Sequence, residues 1–282
     1  ALPVALQSML QSSFSMVDQI MVGQLGEKSI AAVEIAGKPS FIYAFVIGAI
    51  GAIAGIMISQ YIGKKDRVSE EKAICVNTLA MVLVGIIFMT ISSLFAKPFI
   101  SLFTTDTQVA YEGTSYLKII GFTYLPLGIS NICGVAIRCR DRSSWPLYAG
   151  MISAGLNTFL NYGLIFGNLG MPMLGVKGAA LASVISQLFG AITILVMFFT
   201  LYKKLHISIN LGKGGYLQYF VMLLPVVINE FLWSVGQSIN TFVYGHMGTE
   251  ELAGMSLTGS VQGLTIGALS GLAQAADRKS VV

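Results

Sequence analysis

Four stretches of this chain carry no charged residue: 41–62, 73–96, 147–166 and 178–201. A helix needs roughly 20 residues to cross about 30 Å of hydrocarbon, and each stretch reaches or exceeds that length. Only 11% of the chain is charged and 55% is hydrophobic, against roughly 25% charged in an ordinary soluble domain. A soluble particle of this composition could not coat its surface with polar groups. The sequence specifies a multi-pass membrane protein.

Backbone groups in lipid must satisfy their own hydrogen bonds, which leaves helices or closed barrels. Barrel strands alternate polar and apolar over about ten residues, and these runs do not. An all-α polytopic fold is predicted, with eight helical spans at 2–22, 39–62, 73–95, 113–137, 146–167, 177–202, 217–244 and 251–276. Lys64, Lys65, Arg67, Lys72, Arg138, Arg140, Arg142, Lys203, Lys204, Lys213, Arg278 and Lys279 fall on one side of this arrangement. Only Lys28, Lys38, Lys97, Lys118 and Lys177 fall on the other. The richer side is expected in the cytoplasm, together with the first residues of the chain.

Residues 2–37 and 224–259 align without a gap. Leu2, Pro3, Val4, Leu10, Ser12, Gly23, Gly26, Ala31 and Gly37 find identical partners in the second copy. Six spans separate the copies, an even number, so both enter the membrane in the same sense. Such parallel repeats, related by an axis along the membrane normal, occur among secondary transporters. Only two spans of the second copy are present, and the chain begins ALPVAL and ends AADRKSVV. A truncated piece of a twelve-span protein is expected, with its natural start upstream. The expected division is a first six-helix unit at 1–202, a cytoplasmic linker at 203–216, two helices of a second unit at 217–276 and an atypical tail at 277–282.

Several function classes are disfavoured. The basic residues form no stripe interleaved with aromatics, so nucleic acid is not an expected partner. Cys75, Cys133 and Cys139 lie in or beside spans, and their odd number argues against a disulfide framework. His206 and His246 stand in different loops and provide no zinc spacing. No GxxxxGK[ST], HExxH or GxSxG occurs, and GKGGY at 212–216 lacks the lysine-hydroxyl pair of a nucleotide loop. No enzyme activity and no cofactor are expected. The small-residue series Gly48, Gly51, Gly55 and Gly263, Gly267, Gly271 are expected to allow close helix packing. Pro3 and Pro225 could permit a bend in the first helix of each copy, or simply stand at its start. Tyr43, Phe45, Trp233 and the many methionines suit an adaptable apolar cavity or a lipid-facing surface equally.

Glu230 lies inside LPVVINEFLWSVGQSINTFVYG, a nearly apolar stretch. A charge at the centre of a span costs on the order of 2.5–3.5 kcal/mol on insertion scales, so it needs a partner, a wet cavity or a proton. A cavity-facing Glu230 would bind and release a cation; the alternative is a protonated acid hydrogen-bonded to a neighbouring helix. Asp18 lies nearer the outer end of the first span, where a water-facing position is the alternative. In the repeat, Asp18 stands opposite Asn240 and Glu230 opposite Ser8, so the two copies carry their acids at different depths. Asn157 and Asn161, four apart, share one helix face. Their amides could hold Asp18 or a cation, or simply join two helices.

The order of features resembles the multidrug and toxic compound extrusion (MATE) family. The matching pieces are LP near the start, VDQIMVGQLG, ISQYIGKKD, IRCRDRSSWPLYAGMISAGLNTFLNYGLIFG, GVKGAALASVISQ and LPVVINEFLW. The resemblance covers 1–276. It implies two parallel-related six-helix lobes around a central cavity, the second lobe incomplete here. It further implies antiport of organic cations or amphipathic toxins against H⁺ or Na⁺, from a monomer in a bacterial inner membrane, with the lipid bilayer as surround. Asp18, Glu230, Asn157 and Asn161 then become candidates for cation or proton coupling, and Asn131 and Ser183 candidates for the cavity lining. Some family members carry Asp at the position of Asn161, so a two-carboxylate relay is not expected in this chain. A flippase of lipid-linked precursors or polysaccharides is the related alternative; the scarcity of intramembrane Arg and Lys favours an exporter. A non-functional remnant is the third possibility. One charge moving down 100 mV supplies about 2.3 kcal/mol, enough for roughly a fifty-fold solute gradient.

Overall fold

The computed structural model describes residues 16–203 and, beyond them, 208, 217, 219–221, 223–229, 232, 233, 236, 239 and 265. All regular structure among the described residues is helical. The first helix, α1, is described over its end at 16–23, which closes in a turn. There follow α2 (Glu27–Gly63), α3 (Arg67–Leu94), the short α4 (Ala96–Ser101), α5 (Thr107–Ile120), α6 (Tyr124–Cys139), α7 (Ser144–Phe166) and α8 (Val176–Leu201). A further helical stretch covers Tyr219–Asn229.

The predicted second span, 39–62, begins twelve residues too late. Gly26, at φ 107°, turns the chain in a conformation suited to glycine, and Glu27 occupies the first turn of α2, where the helix dipole favours a negative charge. From there α2 runs for 37 residues and through Pro39, a length of about 55 Å that overshoots the hydrocarbon. Ser29, Ala32 and Ala36 are buried in its early turns, and the Ala32 carbonyl lies against Gly113 of α5. The charges read as a loop are the outer face of a helix.

The tight turn from α2 to α3 places Lys65 at φ 57°, and the Asp66 side chain caps α3 by accepting from the Ser69 amide at 3.1 Å. Asp106 caps α5 through the amides of Gln108 and Val109, at 2.8 and 3.2 Å. The predicted span at 113–137 is two helices joined by a 3-10 turn at Gly121–Thr123. Pro126, in the first turn of α6, has no N–H to offer the carbonyl of Phe122, which accounts for the interruption.

Four helical segments are long and apolar enough to cross a membrane: Glu27–Gly63, Arg67–Leu94, Thr107–Cys139 and Val176–Leu201. The fold is an all-α polytopic membrane fold. α7 occupies the place of the predicted span at 146–167 but is not among the four, because Asn157, Thr158, Asn161 and Tyr162 dilute its apolar character. It packs along α8. The predicted seventh and eighth spans lie largely outside the described residues.

The main core joins α2, α3, α6 and α8 through Ile53, Ile58, Ile74, Met81, Ile132, Ile137 and Phe198. Tyr43 belongs to this core and not to a cavity or lipid face. It is fully buried, and its hydroxyl donates to the Tyr124 carbonyl at 2.5 Å. Phe45 meets Trp233 with ring centroids 5.1 Å apart. Of the expected packing glycines, Gly51 faces Asn131 and Gly55 faces Val135, whereas Gly48 meets nothing within 4 Å. Among the described glycines, the one held tightest against a neighbouring helix's backbone is Gly178 of α8, whose added Cβ would stand 2.3 Å from the Leu164 carbonyl oxygen of α7.

Candidate functional site

Three helices deliver the candidate residues. α1 carries Asp18, α7 carries Asn157 and Asn161 one turn apart, and α8 carries Ser183. The Gly178–Leu164 approach brings α7 and α8 together, and Ser153 Oγ donates to the Ser186 carbonyl across the same seam at 2.8 Å. On the outer side of this pair, Val22 of α1 packs with Ile165 and Ala179. Asp18, one turn before Val22, is thereby held toward the amides.

Asn161 Nδ2 donates to Asp18 Oδ1 at 2.6 Å and also reaches Asn157 Oδ1 at 3.2 Å. Asn157 Nδ2 lies 3.4 Å from Ser183 Oγ. In this orientation the Asn157 carbonyl oxygen also faces the Asp18 carboxylate; turned by half a revolution, the amide donates to Asp18 Oδ1 and Oδ2 at 2.7 and 3.1 Å. Donors from Asn161 and from the turned Asn157 together satisfy an ionised Asp18. Asn157 and Asn161 are 8% and 1% exposed, so water contributes little to either arrangement.

Asn161 Oδ1 is buried without a hydrogen-bond partner among the described residues. A carboxylate, amide carbonyls and a hydroxyl form an oxygen set suited to a hard cation.

Four of the expected residues thus stand together: Asp18, Asn157, Asn161 and Ser183. Asn131 makes no hydrogen bond to them among the described residues; its Oδ1 is buried against Gly51 of α2. Glu230 lies outside the described residues. Tyr116 of α5 was not anticipated. It packs beside Val22 and Ile165 and lies near enough to Asp18 to feel its charge. In the sequence it is one aromatic in an apolar helix, with no spacing that marks it.

Comparison with known proteins places the geometry in a family. The chain is similar to the probable multidrug resistance protein NorM of Thermotoga maritima, 23% identical over 271 residues, which cover 94% of this chain and 58% of that protein. It is 29% identical to the probable multidrug resistance protein YoeA of Bacillus subtilis, covering 92% of this chain and 58% of that protein. The chain thus spans about three fifths of the length of these relatives. Among solved structures, the outward-facing conformation of a multidrug resistance MATE family transporter of the MOP superfamily superposes with a TM-score of 0.86 at 18% identity, over 98% of this chain and 62% of that one. A MOP superfamily transporter from Pyrococcus furiosus gives the same TM-score at 17% identity and the same coverage. The MatE family pattern itself matches residues 3–163, more than half of the chain. With an all-α polytopic fold and that match, this chain belongs to the MatE family of membrane transporters.

Proposed function

We propose that this chain forms the ion-coupling part of a secondary transporter that exports organic cations or amphipathic toxins in exchange for H⁺ or Na⁺. One observation carries the reading. A carboxylate inside the helix bundle is held by the Asn161 amide, and by that of Asn157 when turned, and is accompanied by a buried carbonyl oxygen without a donor among the described residues. Asn131 Oδ1 is also buried without a partner among the described residues. The Asn161 oxygen differs in sharing its amide with a donor to the Asp18 carboxylate, which suits a site that alternately holds and releases a cation. The similar proteins of Thermotoga maritima and Bacillus subtilis, both probable multidrug resistance proteins, support the substrate class.

In this reading residues 1–202 form the first of two parallel lobes, 203–216 the linker, and 217–276 the opening helices of the second lobe. The basic loops face the cytoplasm of a bacterial cell. Glu230, in the second lobe, contributes a second acid at a different depth.

The test begins with the chain itself. Sodium binding, followed by ²³Na line broadening in nanodiscs across a pH series, should compete with protons and vanish in Asp18→Asn. In the transporter that contains this segment, Asp18→Asn and Glu230→Gln should each abolish ion-driven efflux while membrane levels persist. Efflux and its ion dependence unchanged in Asp18→Asn would end the proposal.

A further inference from the structure

At the basic end of the bundle, opposite the Asp18 end of α1, a second polar network is built into α3. Glu70 and Asn77 lie seven residues apart on one face of that helix, about 10 Å along its axis. They are 1% and 0% exposed. Arg140, which follows α6, grips Glu70 with two hydrogen bonds, Nε to Oε1 at 2.9 Å and Nη2 to Oε2. Tyr202, immediately after α8, donates its hydroxyl to Glu70 Oε1 at 2.6 Å. Its ring stacks on Phe198 at 4.6 Å and receives the Arg140 guanidinium at 5.5 Å. Two turns further along α3, Tyr219 donates to Asn77 Oδ1 at 3.2 Å, while Asn77 Nδ2 is fixed on the Ala73 carbonyl at 2.8 Å.

Tyr202 and Tyr219 bracket the segment that joins α8 to the helical stretch that follows. Both hydroxyls end on the same face of α3. We infer that this face is the anchor of the joining segment, and that the start of the helix at Tyr219–Asn229 is docked on the first helical unit through Asn77. The two attachments differ in kind. Glu70, Arg140 and Tyr202 all belong to the first unit, and their charge-assisted, two-pronged contact is permanent. The Tyr219–Asn77 bond is a single neutral one between the first unit and the next helix. Any movement that swings that helix away at the basic end must break it, so it is the releasable contact of the pair. The anchor does not depend on what is transported.

The chain in nanodiscs, exposed on both faces, tests this by limited trypsin cleavage within the segment, at Lys203, Lys204 or Lys213. Loss of one neutral hydrogen bond weakens docking about fivefold. Tyr219→Phe and Asn77→Ala should each raise the cleavage rate by about that factor, and the double variant should exceed neither. Unchanged rates in both single variants, or effects that multiply in the double variant, would overturn the anchor. Hydrogen exchange of the unaltered chain supplies a second check that needs no substitution. Amides of 219–229 that exchange as slowly as those of α3 support docking, and amides that exchange at the rate of an unpacked helix refute it.

Discussion

Gly178→Ala is the sharpest probe of how α7 and α8 are assembled. The added Cβ would stand 2.3 Å from the Leu164 oxygen, 2.6 Å from its carbonyl carbon and 3.1 Å from the Ile165 nitrogen. All three are backbone atoms, so no side-chain rotation relieves the overlap. Ordinary van der Waals contact begins near 3.4 Å, and the helices must part by roughly 1 Å to restore it. Overpacking of this kind costs about 1–3 kcal/mol, and the rigid neighbours place it at the upper end. Alanine also gains about 0.5–1 kcal/mol over glycine in a helix, which leaves a net loss of about 2 kcal/mol. Gly48→Ala is the matched control. Nothing lies within 4 Å of its Cβ, so only the gain of about 0.5–1 kcal/mol remains. The two variants should therefore move in opposite directions, by close to 3 kcal/mol in all, in denaturant unfolding of the chain in mixed micelles. The displacement would also stretch the Asn157–Ser183 contact past hydrogen-bonding range from its 3.4 Å. Equal stability of the two variants would refute the close-packed seam.

Other outcomes follow from the same contacts. Asn161→Ala removes a donor from Asp18 and should cost about 1.5–3 kcal/mol with the acid ionised, read by thermal melting above neutral pH. Arg140→Ala leaves Glu70 buried without its cation; since the Arg140 side chain is 37% exposed, the loss should sit at the low end for a broken buried pair, about 3 kcal/mol. Tyr43→Phe should cost about 1 kcal/mol in the same unfolding assay, through the lost bond to the Tyr124 carbonyl. The ion-pairing Lys28 ammonium, then the amides of Val109 and Gln108, hold the Asp106 carboxyl below its usual range. A lowered folded-state value means that the outer contact between α2 and α5 is fully stabilising above about pH 4 and is lost as the pH falls further. Acid titration of Lys28 by NMR should show that loss, and Asp106→Asn should abolish it.

The helices α7 and α8 were legible to within two residues, because charge or glycine bounds their apolar runs. By contrast, α3 begins six residues before its expected start, with Arg67, Glu70, Glu71 and Lys72 inside the helix. The early turns of α2 were not legible either. Glu27, Lys28, Glu34 and Lys38 look like a loop when charge is the criterion, yet Ser29, Ala32 and Ala36 recur at helical spacing and are buried. A helix that outgrows the bilayer keeps its period while losing its hydropathy. The pairing of Asn157 with Asn161 was visible from the four-residue spacing. Their meeting with Asp18, 143 positions away from Asn161, rested on family resemblance, since spacing within one helix says nothing about another. The hydrogen bond from Tyr43 to a backbone carbonyl and the position of Tyr116 carry no local signal at all. They depend on how three helices cross.

The modest hydropathy of α7 bears on how the protein is made. A segment with Asn157 and Asn161 along its length partitions less readily when it reaches the translocon alone, since these amides would lack the partners that Asp18 and Ser183 supply. α8 emerges next and is strongly apolar. The Leu174 amide bonds back to the Leu164 carbonyl at 2.8 Å, closing the connection on itself, and Ser183 and Ser186 of α8 receive α7's polar groups. The two are therefore expected to integrate as a hairpin, so that α7 reaches the bilayer with its partner helix already beside it.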